Sequence, residues 1–277
     1  MPDADTPLTS PHAGFESDLA LLEQAARAAG DIALKYFRRD PEVWTKENDS
    51  PVSEADYAVD RYLRETLTAA RSAYGWLSEE TADDGERLER TRVFIVDPID
   101  GTRAFVEGKD DWTISLAVVD DGRPVAAALF APVHGEMFLA SAHGGTTLNG
   151  AAIRPGETSD LARARLAGPW PVLKPVIARF PGLTNVGFIP SLAYRLALVA
   201  DGRLDGAVAR PNAHDWDLAA ADLLVHEAGA KLTDASGATI RYNSAEIRHP
   251  ALIAAPTALH EPLRKSVADG LAANRQG

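Results

Sequence analysis

Apolar residues recur at helical spacing between residues 17 and 39, at Leu19, Leu22, Ala26, Ala29, Ala33 and Tyr36 or Phe37, and the pattern stops before Pro41. One apolar face on a polar cylinder predicts an amphipathic helix there, and a second is predicted over about 54–70. The period then shortens. Residues 93–96, 114–119, 125–130 and 136–140 are short apolar runs bounded by turn formers, the signature of strands. Asp120-Asp121-Gly122 joins two of them as a tight hairpin, and Val133-His134-Gly135 carries similar turn chemistry. Hairpin-linked strands are antiparallel, which excludes a doubly wound parallel sheet. Past a proline-rich stretch at 169–190 come a helical pattern at 191–200, a strand at 204–209 and a helix entered near Asp217 and closed by Gly229. A strand at 231–233 and a C-terminal helix from about Pro256 complete the pattern, which contains no internal repeat.

Composition narrows the class. With 277 residues, 45% of them hydrophobic, the chain is long enough for one large globular unit or for two lobes sharing an interface. It has no cysteine, which excludes a disulfide framework, a Cys₄ zinc site and a thiol nucleophile. Residues 1–12 are polar and proline-rich, unlike a signal peptide, and no apolar run is long enough to span a bilayer, so a cytoplasmic location is expected. The formal net charge of −12 argues against a nucleic-acid polymer or an anionic membrane as partner, because both are gripped by clustered Lys and Arg. An acidic protein that handles an anionic substrate needs local positive charge, and bound divalent cations supply it.

The chemistry concentrates after Val93-Phe94-Ile95-Val96, where Asp97-Pro98-Ile99-Asp100-Gly101-Thr102 follows directly. Asp, Pro and Gly suit successive positions of a β-turn, so a turn at the strand exit is expected, with both carboxylates facing one small space. Two carboxylates that close repel unless a proton or cation intervenes, and an all-oxygen pair suits a hard ion such as Mg²⁺. The same residues would also make a plain capped turn, and the hexapeptide alone leaves the two alternatives level. Upstream, Glu79-Glu80 ends a short apolar stretch; downstream, Asp217 falls in the first turn of a predicted helix, where an isolated Asp ordinarily caps. Ser53 and Asp56 have the spacing of a capping box. The seven histidines include no pattern such as His-Glu-x-x-His, and none is assigned catalysis.

An acidic pair after an apolar strand, an Asp-Pro-Ile-Asp-Gly-Thr turn and a Trp-Asp helix start occur in that order. Together they resemble the inositol monophosphatase superfamily of Mg²⁺-dependent, lithium-sensitive phosphatases, over a span from about Phe15 to Arg264. The resemblance implies an α/β fold, a layered α-β-α-β-α sandwich with mixed, largely antiparallel sheets. Residues 1–14 would form a disordered tail and 15–277 one catalytic unit, with lobes of roughly 15–155 and 156–277. It also implies two Mg²⁺ ions, or three, with Glu79 on the first, Asp97 bridging, Asp100 and Asp217 on the second, and the Ile99 carbonyl as a further oxygen. Thr102, paired with Asp56, and Glu79 would orient or deprotonate the attacking water, while backbone N–H groups of Gly101 and Thr102 would hold phosphate oxygens. Lys46 lies in a segment similar to the family's mobile loop and would approach the phosphate or a third metal. The partner is then a small phosphorylated substrate, and a homodimer would match the family's habit.

Family members acting on inositol phosphates commonly carry an acid seven residues before the final Asp, where this chain has Arg210. A guanidinium accepts no hydrogen bond from a sugar hydroxyl but pairs well with a second phosphate. Ser191-Leu192 ahead of Arg195 looks like the nucleotidase branch, which removes the 3′-phosphate of 3′-phosphoadenosine 5′-phosphate, although Ile189-Pro190 stands where that branch usually has glycine and serine. Arg210 and Ser191 are therefore expected substrate contacts. The expected activity is that of a 3′(2′),5′-bisphosphate nucleotidase, ahead of hydrolysis of inositol monophosphate or histidinol phosphate. A catalytically silent binding protein on this scaffold would have lost ligands, and every expected acid is present.

Overall fold

The computed structural model of the chain describes residues 11–39, 41–45 and 51–273. Its first half runs through α1 (Pro11–Leu34), a small ladder of β1 (Val43–Thr45) and β2 (Pro51–Ser53), α2 (Glu54–Ala70), β3 (Gly75–Ser78), β4 (Arg92–Asp100), α3 (Thr102–Val106), β5 (Thr113–Asp120), β6 (Arg123–Ala131), β7 (Glu136–Ser141), β8 (Gly145–Leu148) and β9 (Ala151–Ala152). The second half continues with β10 (Arg165–Ala167), α4 (Trp170–Arg179), β11 (Thr184–Gly187), α5 (Leu192–Ala200), β12 (Gly206–Ala209), β13 (Ala213–His214), α6 (Asp215–Glu227), β14 (Ala230–Asp234), β15 (Arg248–His249), β16 (Leu252–Pro256) and α7 (Thr257–Ala273).

Strands β3 to β9 form one seven-stranded sheet in chain order, parallel only between β3 and β4. Short connections enforce that order. At the β5–β6 hairpin Asp121 and Gly122 both have positive φ, 45° and 74°, the turn geometry whose twist matches the strands. The second sheet has the order β11-β10-β12-β16-β14, parallel across its first three strands and antiparallel beyond.

Alternation along β4 sends Phe94 and Val96 to one face and Val93 and Ile95 to the other; all four are buried because helices cover both faces. Phe94 and Val96 meet Leu22, Ala26 and Ala29 of α1 and Val59 and Leu63 of α2. Val93 and Ile95 join side chains from α5, α6 and the inner face of the second sheet. On that sheet's outer face Leu166, Val208 and Ile253 pack with α4 and α7. The expected α-β-α-β-α layering, with mixed and largely antiparallel sheets, is the observed one.

Two local features differ from the sequence pattern. The proline-rich stretch contains helix α4, because Pro171 sits in the first turn, where its missing amide is not needed. Pro175 is tolerated inside α4 where the helix packs on α7; a Cβ on Gly270 of α7 would come within 2.8 Å of the proline ring's Cβ. The second difference bears on chemistry. No β-turn forms at 97–100; β4 continues through Asp100. Asp97 lies opposite Ser115 and Asp100 opposite Thr113, so three steps on β4 face two on β5. This bulge accommodates Pro98, which has no N–H for the ladder. In an unbroken strand residues three apart point to opposite faces, whereas the extra residue brings Asp97 and Asp100 to the same side. Among the described residues no helix is long and apolar enough to cross a membrane.

Trp112 braces the chain just beyond this bulge. It is fully buried against Phe105 of α3, with ring centroids 4.9 Å apart, and against Phe37 at 5.4 Å. Trp112→Ala is therefore expected to cost about 3–5 kcal/mol in chemical denaturation, while Trp170→Ala, at an exposed ring, should change stability by no more than about 0.5 kcal/mol. Similar losses at the two positions would contradict this packing.

Candidate active site

The bulge delivers Asp97 and Asp100 to the place where α6 begins, and Asp217 in its first turn joins them. Carboxylate oxygens of the three lie within 4.8 Å of one another. They line a cavity of about 490 Å³, together with Glu79, Thr102, Arg103, Lys109 and Phe188. Three separate devices hold them. Asp97 Oδ1 accepts from the Ile99 amide at 3.1 Å, inside the bulge. Asp100 Oδ2 accepts from Ser191 Oγ at 2.5 Å and from the Ala193 amide at 2.7 Å, at the start of α5. Asp217 Oδ2 accepts from the His214 amide at 2.7 Å, which also fixes the entry to α6.

Gly101 turns the chain from β4 into α3 at φ 93°. A Cβ there would lie 3.0 Å from the Asp111 carbonyl and 3.2 Å from the Ser191 amide, so both conformation and space call for glycine. Thr102 follows, its Oγ1 3.1 Å from Asp56 Oδ1 and 3.0 Å from the Ile99 carbonyl. The other oxygen of Asp56 accepts from Ser53 N at 2.9 Å and Ser53 Oγ at 2.6 Å. One carboxylate thus caps α2 and pairs with the threonine.

Electrostatics set the character of the cluster. Burial first, then the charges of Glu79, Asp100, Asp217 and Glu80, push the Asp97 carboxyl well above the usual carboxylate range. Burial and Asp217 push Asp100 up to about 7, against the opposing pull of its Ser191, Ala193 and Leu192 donors. Such groups ionise readily only when positive charge joins them, and a crowded all-oxygen donor set fits a hard divalent cation.

The remaining candidates fall at different distances from this cluster. Glu79 follows β3, and its amide donates to the Val96 carbonyl at 3.3 Å, so parallel pairing seats it next to Asp97 on the cavity wall. Ile99 is a core side chain whose carbonyl receives Thr102. Ser191 is fully buried, and its hydroxyl serves Asp100, Thr113 and the Tyr194 amide instead of lining the cavity. Arg210 is exposed just past β12 and is not among the cavity-lining residues. Lys46 lies outside the described residues. Arg103, Lys109 and Phe188 line the cavity without having been singled out by sequence. Arg103 directly follows the motif threonine, a usable signal; Phe188 sits in a loop with no periodicity to mark it.

The chain matches the inositol monophosphatase family over residues 16–272. It belongs to that family. Inositol-1-monophosphatase of Rhizobium meliloti is 37% identical over 236 residues, which cover 79% of this chain and 86% of that protein. Histidinol-phosphatase of Mycobacterium tuberculosis is 34% identical over 238 residues, covering 79% and 88%. Thermotoga maritima IMPase superposes with a TM-score of 0.80 at 25% identity, over 93% of this chain and 98% of that one. The protein is thus a phosphatase of a metal-dependent family whose members act on small phosphorylated compounds.

The raised carboxyls carry a sign for stability. Folded Asp100 and Asp97 hold protons at pH values where the unfolded chain has released them, so that contribution is present at low pH and, for Asp100, is lost as pH rises through about 7. From Asp100 the metal-free protein is expected to lose on the order of 2–3 kcal/mol between pH 5 and pH 8, and Asp97 adds a loss of the same sign. Asp97→Asn, which keeps the Oδ1 acceptor for Ile99, should flatten the profile. Chemical denaturation in chelator across that pH range tests both, and wild-type stability that rose with pH at these groups would contradict the assignment.

Proposed function

We propose that this protein is a Mg²⁺-dependent phosphomonoesterase with two cations sharing the acid cluster, acting in the cytoplasm on 3′-phosphoadenosine 5′-phosphate and removing its 3′-phosphate. The observation that carries the chemistry is the convergence of Asp97, Asp100 and Asp217 on one cavity. Glu79, Asp97 and the Ile99 carbonyl would hold one ion, and Asp97 with Asp100 and Asp217 the other. Mg²⁺ held there supplies positive charge to an anionic ester that must accept one oxygen and release another, which is most of a very high uncatalysed barrier.

The chain's own groups do the positioning. The Thr102 hydroxyl has one proton for two acceptors, Asp56 and Ile99, and its lone pairs would accept from the attacking water. Asp56, fixed through its other oxygen by Ser53, keeps that hydroxyl aimed. Water oxygen attacks phosphorus as the ester P–O bond breaks; Glu79 and Thr102 lie on the path of the water proton, and the leaving oxygen is protonated from solvent. Backbone N–H groups of Gly101 and Thr102 hold phosphate oxygens.

Arg210 supports the bisphosphorylated substrate. It stands exposed seven residues before Asp217, where it can pair with phosphate and cannot accept from a sugar hydroxyl. The names of the relatives favour a second reading, inositol 1-phosphate or histidinol phosphate. A hydrolysis panel of these compounds with Mg²⁺ decides between them.

Activity is expected to vanish in excess chelator and return with Mg²⁺, and millimolar lithium should inhibit it by competing at the Asp100 and Asp217 site. Full-rate hydrolysis in chelator would overturn the metal mechanism. Asp97→Asn should fold normally by circular dichroism yet lose more than about 100-fold in turnover. Arg210→Glu should reduce the specificity constant for the bisphosphate by about tenfold to hundredfold and leave inositol 1-phosphate much less affected. Equal, weak effects on both would move the assignment to inositol monophosphate.

A further inference from the structure

Asp60 lies one helical turn after Asp56 on α2, so the two carboxylates share a face of that helix. Both are buried. Asp56 holds the Thr102 hydroxyl, and Asp60 holds the other wall of the site: its Oδ1 accepts from Ser78 Oγ at 2.5 Å and its Oδ2 from Thr81 Oγ1 at 2.7 Å. Those hydroxyls stand on either side of Glu79 and Glu80. An acid this far from solvent is ordinarily paired with a cation, yet among the described residues no Lys, Arg or His pairs with Asp60. Its partners are hydroxyls alone, so what it serves is their placement and not the neutralisation of a charge.

The backbone shows what needs holding. β3 ends at Ser78, whose side chain faces α2, and the next residue points the opposite way, so that Glu79 lines the cavity. The ladder gives out there. The Glu79 amide still donates to the Val96 carbonyl, but Ser78 and Val96 are the last paired residues of β3 and β4. Ser78 Oγ, its proton committed to Asp60, accepts from the Glu80 amide at 3.4 Å. Thr81 then ties the outgoing chain back to the same carboxylate. Asp60 thus bridges the residue before the acid pair and the residue after it.

Resting on the metal-dependent phosphomonoesterase reading, we propose that Asp60 is a positioning residue: it clasps the hydroxyls of Ser78 and Thr81 so that the Glu79 carboxylate is held beside Asp97, and thereby sets the affinity for the cation those two acids share. A ligand on a freely moving loop binds its ion more weakly, because ordering the loop is subtracted from the affinity.

The test titrates the full-length protein and its variants with Mg²⁺ by calorimetry and reads the Mg²⁺ half-saturation, kcat and KM in the hydrolysis assay. Asp60→Ala should raise the Kd for Mg²⁺ by about tenfold to hundredfold, with KM for the ester unchanged and kcat recovered in saturating Mg²⁺. Asp60→Asn keeps one acceptor oxygen and should lose less. Ser78→Ala and Thr81→Val leave the carboxylate charge in place; each should weaken Mg²⁺ binding by part of that amount, and neither should weaken it further once residue 60 is alanine. Should Asp60→Ala fail to fold, the hydroxyl variants carry the test. Weaker binding in the Asp60 variants with none in the hydroxyl variants would make Asp60 a distant attracting charge and overturn the proposal. Lowered stability at unchanged Mg²⁺ affinity would reduce it to packing and overturn it as well. Wild-type protein that bound no Mg²⁺ would remove the proposal and the metal mechanism together. Binding without hydrolysis of any ester in the panel would sink the phosphatase reading alone, and calorimetry on the variants would still decide on Asp60.

Discussion

Carboxylates crowded into a desolvated pocket repel one another, and the structure around β4 is arranged to keep them there. The bulge at Pro98 turns Asp97 and Asp100 to one side, and the first turn of α6 brings Asp217 to meet them. Every one of the three accepts a backbone amide, at Ile99, Ala193 and His214 respectively. At Asp100 the donors favour the ionised form while burial and the Asp217 charge favour the protonated one. For Asp100 the opposing effects meet near neutrality. A divalent cation needs to tip a balance that is already close.

Holding such a cluster is destabilising, and the layers on either side supply the compensation. β4 is buried on both faces, between α1 and α2 on one side and α5 and α6 on the other. The strand that carries the repelling charges is therefore among the most firmly packed in the protein. Strain at a functional site persists when the surroundings over-determine it.

Periodicity made much of the fold legible. The antiparallel core of the large sheet followed from short apolar runs and from Asp121-Gly122, whose positive φ values bear out the hairpin. Helix α4 was hidden because Pro171 and Pro175 look like breakers, yet Pro171 falls in its first turn and Pro175 lies where the helix packs against Gly270 of α7. The acids Asp97, Asp100 and Asp217 were identifiable because motif order betrayed them, yet the local geometry inferred for the first two was wrong. Turn propensities of Asp, Pro and Gly gave a β-turn, whereas pairing with β5 pulled the same residues into a bulged strand. Ser191 looked like a substrate contact, but its hydroxyl is spent on Asp100, a pairing 91 residues apart that no local pattern records. Phe188 was equally invisible, since its place at the cavity exists only once the β11–α5 loop lies over the helix.

Asp100 belongs to two structures at once. It ends a strand of the seven-stranded sheet, and the same oxygen caps the helix that leads into β12 of the five-stranded sheet. The acid trio is thus completed only when both sheets have docked, since Asp217 arrives on α6 between them. Cation affinity and docking of the two sheets are then linked functions: whatever tightens one must tighten the other by the same free energy. In a folding experiment, a metal probe would read the final assembly of the molecule and stay blind to either sheet formed alone.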